Sequence, residues 1–282
     1  MKHLLLIFFT LLTLYSEGIS VQFLNDVFYN TDEQRTGGFK VLYQSSDEWS
    51  FHIGQDVYTP HEKETLTPII GERPYNAWLY MGLGYQVDAE SYDTLFSFKF
   101  DVGSRGPRAL GKNIQNSLHE LINSPKVLGW DSQTKNEYGN VFAFTAEHSL
   151  LDLLIDSRRE LTHISTYIST EAGTIWRTYT AGVSLAFGYN TPYYNSLINF
   201  PEKDTFYAFG NLQVTYVDKN NLLDGNSNYN VIREKNIKKY DIGLNWDNDD
   251  IRFRFTLTTM SKEFTTQKES HRFGLLEITL AF

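Results

Sequence analysis

The 282 residues include no cysteine, so neither a disulfide framework nor a thiol nucleophile is available to this chain. After the N-terminus no run approaches the roughly 18 apolar residues of a transmembrane helix. Positive charge is in deficit: 25 Lys and Arg against 34 Asp and Glu leave a net charge of −9, which argues against a nucleic-acid partner. The sequence has no Gly-x-Ser-x-Gly elbow, so the usual serine hydrolase arrangement is missing too. Internal repeats, low-complexity tracts and linkers that would mark a second domain are also lacking.

What remains is aromatic. There are 18 Tyr and 20 Phe, 15 % of the chain being aromatic, yet the mean hydropathy is only −0.36. A transmembrane β-barrel combines these properties, because half of each strand faces lipid and half a polar interior. A soluble β-sandwich with one wet face gives similar totals. Residues 1–18 read as a secretory signal: Lys2 and His3, an apolar run from Leu4 to Leu14, then small residues for a cut between 16 and 20. The mature domain is then 19–282.

Period-two alternation separates the two architectures. Phe96, Phe98 and Phe100 alternate with Ser97, Lys99 and Asp101, and Ile251, Phe253, Phe255 and Leu257 alternate with Arg252, Arg254, Thr256 and Thr258. Leu276, Ile278, Leu280 and Phe282 alternate with Glu277, Thr279 and Ala281, and this ending on phenylalanine resembles the signal read by bacterial barrel-insertion machinery. The pattern predicts about 12 antiparallel strands, near 21–28, 37–45, 49–57, 76–88, 94–103, 139–147, 160–171, 175–189, 205–217, 237–247, 251–261 and 271–282. With both ends in the periplasm, the connections 29–36, 58–75, 104–138, 172–174, 218–236 and 262–270 fall on the outer side. Connections 148–159 and 190–204 are long for inner turns.

One stretch breaks the period. After Gly103-Ser104-Arg105-Gly106-Pro107, residues Leu110, Ile114, Leu118 and Leu121 recur at helical spacing, predicting a short helix in an outer loop. Gln115 and His119 lie one turn apart on it, beside the apolar stripe. His119 is either a solvated bystander or a base. Asn25-Asp26, with Thr36-Gly37-Gly38 nearby, supplies the oxygen donors that suit calcium, although any turn uses the same residue types.

These segments resemble the lipid A 3′-O-deacylase family of outer-membrane proteins. The resemblance runs through Asn25-Asp26 with Thr36-Gly37, Gly54-Gln55-x-x-Tyr58-Thr59-Pro60, and Arg73-Pro74-Tyr75-x-x-Trp78-Leu79-Tyr80. It continues with Gly106-Pro107, Gly111, Gln115 and His119, then Gly129-Trp130-Asp131, Leu223-Asp224-Gly225-Asn226 and Lys262-Glu263-Phe264. The chain departs at Asn76-Ala77, where the family tends to Ala-Gly, and at Lys112, where it tends to an acidic residue.

The resemblance implies a calcium-dependent hydrolase of the bacterial outer membrane, removing the 3′-O-linked acyloxyacyl chain of lipid A in the outer leaflet. His119 would be the general base, with Asn25 and Gln115 assisting and Asp26, Thr36 and Gln55 near the metal. A further carboxylate is expected among Glu120, Asp131 and Glu137. Lipopolysaccharide would be the substrate and the barrel a monomer. A phospholipase-type esterase and a non-catalytic pore are the other readings.

Overall fold

In a computed structural model, which describes residues 16–29, 34–45, 48–61, 66–121, 123–156, 159–189, 191–196, 204–225, 229–248 and 250–281, the chain closes on itself as one antiparallel barrel. The strands are β1 (Ser16–Asn25), β2 (Gln34–Ser45), β3 (Trp49–Thr59), β4 (Asn76–Ala89), β5 (Thr94–Arg105) and β6 (Glu137–Asp156). They continue as β7 (Arg159–Gly173), β8 (Trp176–Tyr189), β9 (Thr205–Asn220), β10 (Asn236–Asp247), β11 (Ile251–Met260) and β12 (His271–Ala281). Each pairs with its sequence neighbour, and β1 pairs with β12 from Gly18 opposite Ala281 to Asn25 opposite Gly274. Residues 1–15 of the expected leader lie outside the described part, and β1 begins at Ser16, within the stretch where that leader is expected to end.

Alternation sorts side chains as a membrane barrel requires. Phe98, Phe100, Phe142, Val183, Leu185, Ile242, Leu244 and Phe253 are exposed on the outer wall. Aromatic residues ring both ends: Trp49, Tyr85, Tyr189, Phe206 and Trp246 at one, Tyr138, Tyr179, Tyr216 and Tyr240 at the other. Inside, ionisable groups meet each other, as in His52 to Asp101 at 2.8 Å and Lys239 to Asp241 at 3.2 Å. A polar cavity of about 670 Å³ occupies the middle of the lumen.

Described residues fill the lumen above and below that cavity. At the end carrying the helix, Tyr58, Trp78, Val141, Ile175 and Leu222 form an apolar layer, and the Leu222 carbonyl accepts a hydrogen bond from Asn76 Nδ2 at 3.1 Å. In the same β9–β10 connection Asp224 pairs with Arg233. Burial pushes its carboxyl above the usual range, with the Arg233 guanidinium pulling the other way. At the opposite end residues 191–196 reach into the lumen. The fully buried Glu147 carboxylate accepts from Tyr194 N at 2.9 Å and from Asn195 N and Nδ2, both at 2.8 Å. Tyr194 Oη donates to Asp241 at 2.7 Å.

The strand boundaries differ from the sequence reading in two places with visible causes. β6 runs to Asp156, so the expected connection 148–159 shrinks to 157–158. Register shifts after Ser149 and Leu153 interrupt its alternation, which is why the pattern stopped early. Residues 26–28, expected as the end of the first strand, instead belong to a 3-10 turn, Asp26–Tyr29.

Candidate active site

Strand parity decides which face carries the candidate residues. Along β3, Ser50, His52 and Asp56 line the lumen, so Phe51, Ile53, Gln55 and Val57 point outward. Phe51 and Ile53 are exposed there, but Gln55 and Val57 are buried, so something outside the barrel covers them. The cover is the β5–β6 connection. Its α-helix, α1 (Gly111–Leu121), lies against the outer wall, preceded by a 3-10 turn at Pro107–Ala109 and followed by another at Gly129–Ser132. Val57 and Ala77 from the wall pack with Ala109, Val127, Trp130 and Tyr75, and Gln55 Nε2 donates to the Ala109 carbonyl.

The contact is close because its first helical residue has no side chain. A Cβ on Gly111 would sit 2.5 Å from Trp130 Cη2 and 2.7 Å from Ala77 Cβ. The face turned to the wall is Gly111, Gln115 and His119, spaced four apart. This reverses what an amphipathic helix does in water: Leu110, Ile114 and Leu121 are exposed, Leu121 at 82 %, while the amide and imidazole are buried. The reversal follows from where the helix sits, because the outside of a membrane barrel is apolar.

The amide oxygen and the imidazole on the buried face are held, while Gln115 Nε2 is buried without a partner. Trp130 Nε1 donates to Gln115 Oε1 at 2.8 Å. His119 Nδ1 lies 2.6 Å from the Pro125 carbonyl. A carbonyl only accepts, so Nδ1 carries the hydrogen and Nε2 keeps its lone pair. Of the three carboxylates among which one further functional group is expected, none is hydrogen-bonded to the imidazole. Glu137 binds Arg105, Asp131 takes Lys112 Nζ at 2.6 Å, and Glu120 stands 3.9 Å from Lys126. The departure at Lys112 thus has a partner in Asp131.

The remaining candidates extend the same outer row. Gly38 would carry its Cβ toward Asp56 and Leu24, both lumen-facing, so Gly37 faces out. Leu24 pairs with Gly38, Gly37 with Val57, and Val57 with Ala77, which aligns Asn25, Gly37, Val57 and Ala77 across four strands. Adjacent strands are spaced ~4.8 Å, so Asn25 lies about 10 Å from the part of the wall that α1 covers. Between them, among the described residues, no atom lies within 4 Å of a Cβ built on Gly37. On the far flank Phe28 lies against Gly274 and meets the Phe255 ring edge-on at 5.3 Å.

Asn25 and Asp26 are both buried at this edge, and Asn25 Nδ2 donates to the Thr36 carbonyl at 2.9 Å. Thr36 Oγ1 is buried without a protein partner. The donors gathered here are a carboxylate, an amide and a hydroxyl, all oxygen, which fits a hard cation such as calcium. Among the described residues no three His, Cys, Asp or Glu cluster, so a cation here would depend on amide, hydroxyl and backbone oxygens beside Asp26. Gln55 stands apart from this group, its amide nitrogen engaged under the helix. Pro125 and Trp130 are the positioning residues that residue types alone did not nominate, although Trp130 belongs to the Gly129-Trp130-Asp131 motif.

A family model described as outer membrane protein LpxR matches residues 4–282. The fold is similar to that of LpxR from Salmonella typhimurium, with a TM-score of 0.84 and 22 % identity over 94 % of this chain and 100 % of that one. The β domain of the Bordetella autotransporter BrkA aligns with a TM-score of 0.45 and 9 % identity, over 95 % of this chain and 100 % of that one. No curated protein matches at the sequence level.

Proposed function

Because the chain belongs to the LpxR family of outer-membrane lipid A deacylases, we propose that it hydrolyses the 3′-O-linked ester of lipid A and that His119 is the general base. The observation that carries this reading is a buried imidazole on the outer wall with Nδ1 tied to the Pro125 carbonyl, so that in the neutral ring Nε2 carries the lone pair. A lipid ester arriving through the leaflet reaches the outer wall, not the lumen.

In the reaction, Nε2 takes a proton from water and the resulting hydroxide oxygen attacks the ester carbonyl carbon. The tetrahedral intermediate then expels the sugar 3′-oxygen, which takes the proton back from the imidazolium. The products are a free sugar hydroxyl and the acyloxyacyl acid. General-base assistance of this kind contributes about 10²–10⁴-fold. Gln115 acts through Trp130, fixing the turn that closes α1 onto the wall. Asn25 would hydrogen-bond the developing oxyanion. Calcium, held by Asp26 with Thr36 and neighbouring backbone oxygens, would supply charge for the ester oxygen when bound. Gln55 supports the site by fixing the start of the helical connection.

The layers that fill the lumen at both ends speak against the alternative of an open pore. The test is a mass spectrum of lipid A from bacteria expressing the chain. Loss of one acyloxyacyl unit, absent in His119→Asn and after chelation, is the expected result. Unchanged lipid A beside a correctly folded barrel would overturn the proposal.

A further inference from the structure

Beside the helical cover, the outer wall carries a trough of about 690 Å³ that the chemistry at His119 does not use. Its course follows from the register. Ser104 on β5 lies between Leu79 and Tyr138, and Val102 lies between Met81 and Asn140. Ser104 is small between larger neighbours, and Val102 and Asn140 are both short beside Met81, which leaves a channel along β5. The next outward position ends it: Phe100 stands in line with Leu83 on β4 and Phe142 on β6, and all three are exposed. From Ser104 to Phe100 the channel runs roughly 13 Å.

Two features join the trough to the candidate site. Leu79, which forms one bank, packs against the Val57, Ala77 and Trp130 cluster that seats α1. At the upper end, the exposed Arg108 guanidinium lies 5.2 Å from the Tyr138 ring, and no described carboxylate forms an ion pair with it. An apolar channel facing the bilayer, continuous with the site and headed by a cation without a described carboxylate partner, matches an acylated anionic lipid.

We propose that this trough holds an acyl chain of the lipid A molecule being hydrolysed, with Phe100 limiting its depth and Arg108 meeting an anionic group of the head. The proposal rests on the deacylase reading. A chain entering from the bilayer leaves one apolar medium for another, so discrimination comes from packing and shape. The trough therefore selects chain length and positions the ester.

The experiment uses the full barrel in micelles with lipid A of defined shorter and longer chains, scoring cleavage by mass spectrometry. Val102→Trp fills the channel, and its kcat/KM should fall about tenfold or more, the scale of a displaced substrate. Phe100→Ala deepens the channel and should shift preference toward longer chains. Both should keep heat-modifiable mobility. Native mass spectrometry gives a readout independent of turnover: wild type should retain lipid A that Val102→Trp loses. Identical chain-length profiles and lipid retention in all three proteins would overturn the trough. So would equal competition from a phospholipid of the same chain length. Lipid retained but never cleaved by wild type would overturn the deacylase reading and leave the trough standing.

Discussion

His119 Nδ1 and the Pro125 carbonyl oxygen lie 2.6 Å apart, so one chain segment fixes both the tautomer and the aim of the imidazole. Active-site histidines often use a carboxylate for this purpose; here a backbone carbonyl six residues along does it. The imidazole is therefore oriented without a second buried charge. His119→Asn should fold, because the barrel ladder does not involve this side chain. It should lose about 10²–10⁴-fold in deacylation rate. Lipid A mass spectra, with gel mobility of unheated and heated samples as the folding control, check both halves.

Calcium dependence is predicted from the oxygen-only donor set at Asp26 and Thr36. Chelation should abolish deacylation and added calcium should restore it. Asp26→Asn keeps the shape but removes the charge, so it should raise the calcium concentration needed for half-maximal rate. Magnesium should substitute poorly, since it demands a tight octahedron that amide and hydroxyl oxygens on a β-rim do not form. Titration of activity against free metal measures each. Full activity in excess chelator would refute the metal.

Gly111→Leu tests the seat of the helix. The new side chain would start 2.5 Å from Trp130 and 2.7 Å from Ala77, both fixed in the wall cluster, so α1 must lift. Since the twelve strands close without it, the barrel should remain heat-modifiable while deacylation falls roughly 100-fold or more, as a misplaced base implies. Protease cutting within the β5–β6 connection should rise in parallel.

The barrel was legible in the sequence because lipid and a polar lumen impose opposite demands on alternate residues, as at Phe98, Lys99 and Phe100. It became illegible where bulges break the period, as in β6 beyond Ser149. The helix at 111–121 was legible from spacing, but its orientation was not. Leu110, Ile114 and Leu121 would be buried in a soluble protein, and here they face outward. Asn25, Thr36 and His119 could be placed at one end of the barrel from strand order alone. That Asn25 and His119 share the exterior face depends on register, which residue types do not encode. The Pro125 carbonyl left no signal, because a backbone acceptor has no side-chain signature.

Nor did the sequence announce the inward segment at 191–196, which yields the last prediction. Glu147 is fully buried, and three of its hydrogen bonds come from Tyr194 and Asn195. Glu147→Ala removes both acceptor oxygens, and with them all three bonds, and leaves two backbone N–H groups without partners, each costing ~1–3 kcal/mol if it stays buried. Moving the segment out to water removes that cost, so the lumen at this end should open. Tyr194→Phe is the milder case, losing the bond to Asp241 alone. In planar bilayers Glu147→Ala should show conductance steps, Tyr194→Phe rare ones, and wild type none. Deacylation should persist in both, because the site on the outer wall shares no residue with this end of the lumen. Conductance in the wild type equal to that of Glu147→Ala would mean that the segment does not seal the barrel.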